Sequence, residues 1–162
     1  MIKLKRFKLF EKISQAELND ILNNHIILNT VSKINIEISR VLIMFGAIPK
    51  KETILKSFIN IHNYHDYFKQ FDLFSDYFDI NDTFYINGIY QSETLLSITV
   101  HNHNNKIVIE LLKRGAKINI KTKNNQNLID FLDNTDIKII NNEIPGFKLK
   151  IEQLKRTRKF NL

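Results

Sequence analysis

The side chains of this chain that could do chemistry are its five histidines and one serine near a histidine. His62 with His65, and His101 with His103, have spacings that invite a zinc reading, and Ser97 lies one helical turn before His101. Neither arrangement is complete. The chain has no cysteine, which removes a thiol nucleophile and every cysteine-based zinc or iron–sulfur site. No acid joins Ser97 and His101 in a triad, and no nucleophile elbow presents the serine. Gly46, Gly88, Gly115 and Gly146 are all isolated, so no glycine-rich loop can cradle a phosphate. The chain is therefore expected not to be an enzyme, with no metal, no cofactor and no small-molecule substrate.

A binding constellation is better supported. Residues 64–90 hold 10 of the 17 aromatics. Asp66, Asp72, Asp76, Asp79 and Asp82 lie among them with only Lys69, a net charge of −4 over 66–82. Phe84-Tyr85-Ile86-Asn87-Gly88-Ile89-Tyr90 follows, where Asn-Gly between flanking Ile and Tyr is a two-residue hairpin signal. Tyrosines give large contact area at low entropic loss, and carboxylates suit a basic partner. The candidate partner-binding residues are Tyr77, Asp79, Asp82, Phe84, Tyr85, Asn87, Tyr90 and Gln91. Phe68, Phe71, Phe74 and Phe78 are expected mostly in the core, and Tyr85 and Tyr90 at the surface.

Charge offers a second reading. The net charge is +7, yet residues 1–12 carry +4, residues 148–162 carry +5, and the stretch between them is −2. Lys148, Lys150, Lys155, Arg156, Arg158 and Lys159 could neutralise phosphates of a nucleic acid, although no nucleic-acid motif accompanies them. Ile (27), Asn (20) and Lys (19) dominate the composition, and their AT-rich codons account for much of the lysine excess. The longest apolar run, Val41–Ile48, is far below the roughly 20 residues that span a bilayer. A cytoplasmic protein with no membrane segment is expected.

Elements must position these residues. With 162 residues and 43% apolar content, one ordinary domain with a real core is expected over 1–162. Phe7, Phe10, Ile13, Leu18, Ile21 and Leu22 approximate a helical stripe over 7–24. Ser14-Gln15-Ala16-Glu17 fits a capping box, and Asn23-Asn24 is expected to end that helix. Within Ser92–Asn119 the pattern predicts helices over about 95–101 and 106–114, with Gly115 at a left-handed cap.

This stretch resembles the ankyrin repeat. Thr94, Leu96, Ile107-Val108, Leu111-Leu112, Gly115-Ala116 and Ile118-Asn119 stand where that family's pattern has them. Leu95 replaces its Pro, Ser97 its His and Thr99 its first small Ala. Asn127-Leu128-Ile129-Asp130-Phe131-Leu132 begins a further unit 33 residues after Thr94. Leu42-Ile43 and Gly46-Ala47 resemble the end of an earlier unit whose first helix would be about 26–31. Thr53-Ile54-Leu55 opens another, 41 residues before Thr94. The resemblance is strong over 92–132, fair over 40–49 and degenerate over 56–84. It implies an all-α ankyrin-repeat solenoid of about three to four degenerate repeats with helical caps and β-hairpin fingers. Residues 7–24 would form an N-terminal cap helix, about 25–135 the repeats, and 136–162 a basic C-terminal cap. The segment 84–90 would be a lengthened finger. The early spacing of 147–160 is more alternating than helical, with Pro145-Gly146 separating it from what precedes. The family implies a protein-binding module with a dedicated partner. Such a partner could be a toxin, as for a bacterial immunity protein or antitoxin, or a host factor captured by a viral or intracellular-pathogen protein.

Overall fold

The computed structural model describes residues 13–28, 33–59, 61, 63–86, 90–120 and 126–160. The described residues are predominantly α-helical, and the chain divides into two compact units, Met1–Phe78 and Asp79–Leu162. The start of the expected helix over 7–24 and His62 lie outside the described residues.

The first unit contains α1 (Gln15–Leu28), α2 (Lys33–Met44), α3 (Lys51–Ser57) and α4 (Tyr64–Phe74), the last followed by a 3₁₀ turn at Ser75–Tyr77. The capping box at the start of α1 is present. The Ser14 N–H donates to Glu17 Oε2 at 2.7 Å, and the Glu17 N–H donates to Ser14 Oγ at 3.3 Å. The Ser14 backbone hydrogen bond, followed by that of its hydroxyl, holds the Glu17 carboxyl below its ordinary pKa. Leu18, Leu22 and Ile26 are buried at i, i+4 and i+8, the spacing of one helix face.

Two expectations fail here. Helix α1 does not stop at Asn23-Asn24 but runs to Leu28, so residues 26–28 belong to it and do not start a repeat. Asn23 sits within the helix with its amide divided between a local and a distant partner. Its Nδ2 donates to Asn19 O at 2.7 Å, and its Oδ1 accepts from the Lys50 N–H at 2.8 Å. Asn19 Oδ1 likewise accepts from the Ile48 N–H at 2.6 Å, and Gln15 Nε2 donates to the Gly46 carbonyl. Three amides at four-residue intervals on α1 thus hold the main chain of 46–50. The second failure follows. Lys50, held extended with φ −75° and ψ 130°, is the N-cap of α3, and Thr53 lies buried inside the helix, not at its start.

Asn63 Oδ1 caps α4 by accepting from the N–H groups of His65 (2.9 Å) and Asp66 (3.2 Å). Tyr67, Phe68, Phe71 and Phe74 then face the interior, as expected for the phenylalanines, while Phe78 is half-buried. The rings interlock. Phe58 lies 4.8 Å from Tyr67, and Phe71 meets Phe78 edge-on at 5.3 Å and 85°.

The second unit begins with a turn in which the Asp82 N–H donates to Asp79 O at 2.9 Å. It continues through β1 (Phe84–Ile86), β2 (Tyr90–Glu93), α5 (Leu95–His101), α6 (Asn105–Lys113), a 3₁₀ turn at Leu128–Asp130, α7 (Asn134–Glu143) and α8 (Phe147–Phe160). Strands β1 and β2 form a short antiparallel ladder. The expected helices over 95–101 and 106–114 agree closely with α5 and α6. Thr94 Oγ1 accepts from the Ser97 N–H at 3.2 Å, and Ser97 Oγ accepts from the Thr94 N–H at 2.8 Å. Ser97 therefore completes a capping box at the position where the ankyrin pattern has His. After Leu128 the expected first helix of a repeat shrinks to one 3₁₀ turn. Segment 147–160, an expected helical cap despite its alternating early spacing, is a helix, with Phe147 and Ile151 buried four residues apart and Leu149 exposed.

The two units share one local design. Leu42, Ile43, Gly46 and Ala47 close α2 as Leu111, Leu112, Gly115 and Ala116 close α6. The Gly46 N–H donates to Ile43 O (2.8 Å) and the Ala47 N–H to Leu42 O (3.0 Å). The Gly115 N–H donates to Leu112 O (3.1 Å) and the Ala116 N–H to Leu111 O (2.9 Å). Both are Schellman closures, and both glycines are left-handed, at φ +93° and +96°. A Cβ at Gly115 would meet nothing within 4 Å, so any penalty there is conformational and not a matter of crowding. Gly115→Val is expected to lose about 2 kcal/mol, since a left-handed residue is penalised by roughly 1–3 kcal/mol and β-branching adds to it. Urea titration reads this; an unchanged midpoint would show that the cap does not hold α6.

Candidate functional site

The expected binding residues divide between the units. Tyr77 lies half-buried in the 3₁₀ turn that ends α4, in the first unit; Asp79 is exposed and Asp82 half-buried at the start of the second. Their turn is tightly tied. The Asp79 N–H donates to Asp82 Oδ2 at 2.8 Å and the Asn81 N–H to Asp79 Oδ1 at 2.7 Å. Asn81 Oδ1 then accepts from the Lys117 N–H at 2.8 Å, fixing this turn to the chain leaving α6.

Phe84 and Tyr85 are on β1 and Tyr90 and Gln91 on β2, while Asn87 lies outside the described residues. Ile86 pairs with Tyr90. The expected Asn87-Gly88 turn lies outside the described residues. Phe84 pairs with Glu93, so the register shifts along the ladder. A shift of that kind is how a bulge twists a hairpin and re-aims its side chains.

Of the basic residues proposed for nucleic acid, Lys148, Lys150, Lys155 and Arg156 are exposed on α8, and Arg158 and Lys159 lie in its last turn. A hollow of about 560 Å³ beside Lys148 is lined by Asn134, Ile137, Lys138, Asn141 and Asn142. Amides and ammonium groups there supply no nucleophile or general base. Among the described residues no helix is long and apolar enough to cross a membrane.

Ser97 and His101 have separate surroundings: Ser97 is buried in its capping box, and the His101 ring stands against Phe131 with centroids 4.4 Å apart. His65 is exposed at the start of α4. His103 lies in the turn between α5 and α6, at φ +50°. Its Nδ1 lies 3.1 Å from Asp136 Oδ2, across a sequence separation of 33. Asn105 Nδ2 donates to Asp136 Oδ1 at 2.9 Å. Asp133 and Asp136 form the capping box of α7. Asp136 is only 4% exposed. Burial pushes its pKa up, but the hydrogen bonds from Asn105, His103 and the Asp133 backbone outweigh it and leave the carboxyl below its ordinary value. The signal for this cluster was the 33-residue spacing itself, which the repeat pattern contained but which local reading does not convert into a contact.

No family model, curated protein or solved structure matches the chain.

Proposed function

We propose that the chain is a degenerate ankyrin-type repeat protein that works as a non-enzymatic binding module for a specific, basic protein partner. The observation that carries this reading is the recurrence of one closure. A helix ending in Leu-Ile or Leu-Leu, then a left-handed Gly and a buried Ala, occurs at 42–47 and at 111–116. Ladder β1–β2 leads directly into α5, the place where an ankyrin array carries its fingers. Those fingers and the faces of the helices are the recognition surfaces of such arrays. A toxin, for an immunity protein or antitoxin, or a host factor, for a protein of viral or pathogen origin, is the kind of partner that suits a small dedicated array.

The test compares wild type with the double variant Tyr85→Ala, Tyr90→Ala. Each immobilised protein is offered lysate, the retained protein is purified, and its affinity is measured by calorimetry beside a thermal melt of each chain alone. Truncating a hot-spot tyrosine typically loses about 2 kcal/mol, so binding should weaken about 30-fold with the melt unchanged. Equal affinity of the two chains would move the interface away from the ladder, and a collapsed melt would make the rings core residues. Retention of nucleic acid instead, lost steeply with salt and on neutralising Lys148, Lys150, Lys155 and Arg156, would favour the reading in which the basic helix α8 binds phosphates.

A further inference from the structure

We infer that His103, Asp133 and Asp136 form a site for a zinc-like divalent transition-metal ion at the corner where the α5–α6 turn meets the start of α7. One ligand atom from each residue lies within 4.8 Å of the others. The closest pair, His103 Nδ1 and Asp136 Oδ2, is 3.1 Å apart. Metal bonds of about 2.1 Å to nitrogen and oxygen set tetrahedral ligand atoms about 3.4 Å apart, so an ion fits with small side-chain movements. The donors come from two separate elements, and the imidazole is not part of the acidic cap of α7.

Three further features suit an ion. The first is free coordinating capacity. Asp133 uses Oδ1 to accept the Asp136 N–H at 2.7 Å, and its Oδ2 makes no hydrogen bond or ion pair among the described residues. The second is orientation. Asn105 Nδ2 grips Asp136 Oδ1 and aims Oδ2 at His103, as outer-shell partners of ligating carboxylates do. The third is charge with access. No lysine or arginine pairs with either carboxylate among the described residues. The His103 side chain is 62% exposed, so an ion reaches the corner from solvent. One nitrogen and two oxygens select zinc and its neighbours over calcium or magnesium, which prefer all-oxygen sets. Three protein donors leave a position for water.

The experiment uses the untagged full-length chain, freed of metal with chelator. Zinc chloride is titrated by calorimetry, thermal melts are run with and without zinc, and cobalt(II) serves as a spectroscopic probe. One site with Kd of about 10 µM or tighter is expected. Saturating zinc should raise the melt by about 5 °C, with magnesium inert, because an ion that binds only the folded chain stabilises it by mass action. His103→Asn and Asp133→Asn separate a metal role from a structural one. Asn tolerates the positive φ at 103 and is as good an N-cap as Asp at 133. Asp133→Asn should keep the metal-free melt, His103→Asn should lower it through loss of the bond to Asp136, and each should lose zinc affinity at least tenfold. Absence of heat and of any melt shift for wild type in millimolar zinc would overturn the site. So would undiminished zinc binding by both variants, which would place the ion elsewhere. Should either variant fold poorly, the cobalt spectrum of wild type decides alone: no visible band from a nitrogen–oxygen site rejects the assignment.

Discussion

Phe71→Ala is expected to lose about 4 kcal/mol of stability, the largest effect of any single change considered. Truncating a buried phenylalanine removes its transfer free energy and leaves a cavity, together about 3–5 kcal/mol. Phe71 belongs at the upper part of that range. It is buried, and its ring meets those of Phe58, Phe68 and Phe78 at 6.4, 6.0 and 5.3 Å. Edge-on and tilted ring pairs add to area burial, and three of them vanish together. Tyr67, beside Phe68, is buried with a hydroxyl that has no hydrogen-bond partner among the described residues. That burial pushes the Tyr67 phenol far above its ordinary pKa. Phe71→Leu retains most of the volume and should lose less than half as much. Urea denaturation of both variants checks this. A loss under 1 kcal/mol for the alanine would show that the cluster is loosely packed.

Asp136→Ala is expected to lose about 3 kcal/mol, and the loss should depend on pH. The carboxylate caps α7 and receives His103 and Asn105, and hydrogen bonds to a charged group contribute about 1.5–3 kcal/mol. Its removal also strands the half-buried Asn105 amide. The folded pKa of Asp136 is lowered, from an unfolded value near 3.9. A lowered pKa means the folded state favours the ionised form. The stabilisation is therefore fully present above the unfolded pKa and disappears as pH falls through the folded one. At pH 6 wild type should exceed the variant by the whole amount, and the gap should narrow steadily below about pH 4. Urea titrations at pH 6, 4 and 3 would show it. A gap constant across that range would mean that Asp136 acts through shape and not charge.

These residues also show what can be read from a linear chain. The stretch 94–116 was legible because its signals are local. Thr94 caps α5, Asn104 precedes α6, and Gly115 takes the left-handed conformation that Leu111-Leu112 require behind it. Asn23-Asn24 misled because Asn23 bonds back along the helix to Asn19 O and reaches 27 residues ahead to the Lys50 N–H, contacts that keep it inside α1. The early spacing of α8 looks alternating because Leu149 is apolar yet exposed, which disguises the buried Phe147–Ile151 pair of the expected helical cap. The His103–Asp136 contact depends on tertiary geometry and has no local sign.

The three amides of α1 hold main-chain atoms, and a grip on the main chain is indifferent to spelling. Gln15, Asn19 and Asn23 bond the Gly46 carbonyl and the N–H groups of Ile48 and Lys50, groups that almost every residue carries. The side chains of Ile48 and Lys50 meanwhile face solvent. Identity in the loop and its placement are thereby uncoupled: 48 and 50 can diversify while the amides upstream stay constant. Among descendants of this chain, variation should gather on those outward positions and spare 15, 19 and 23, a division of labour between a fixed frame and a changeable face.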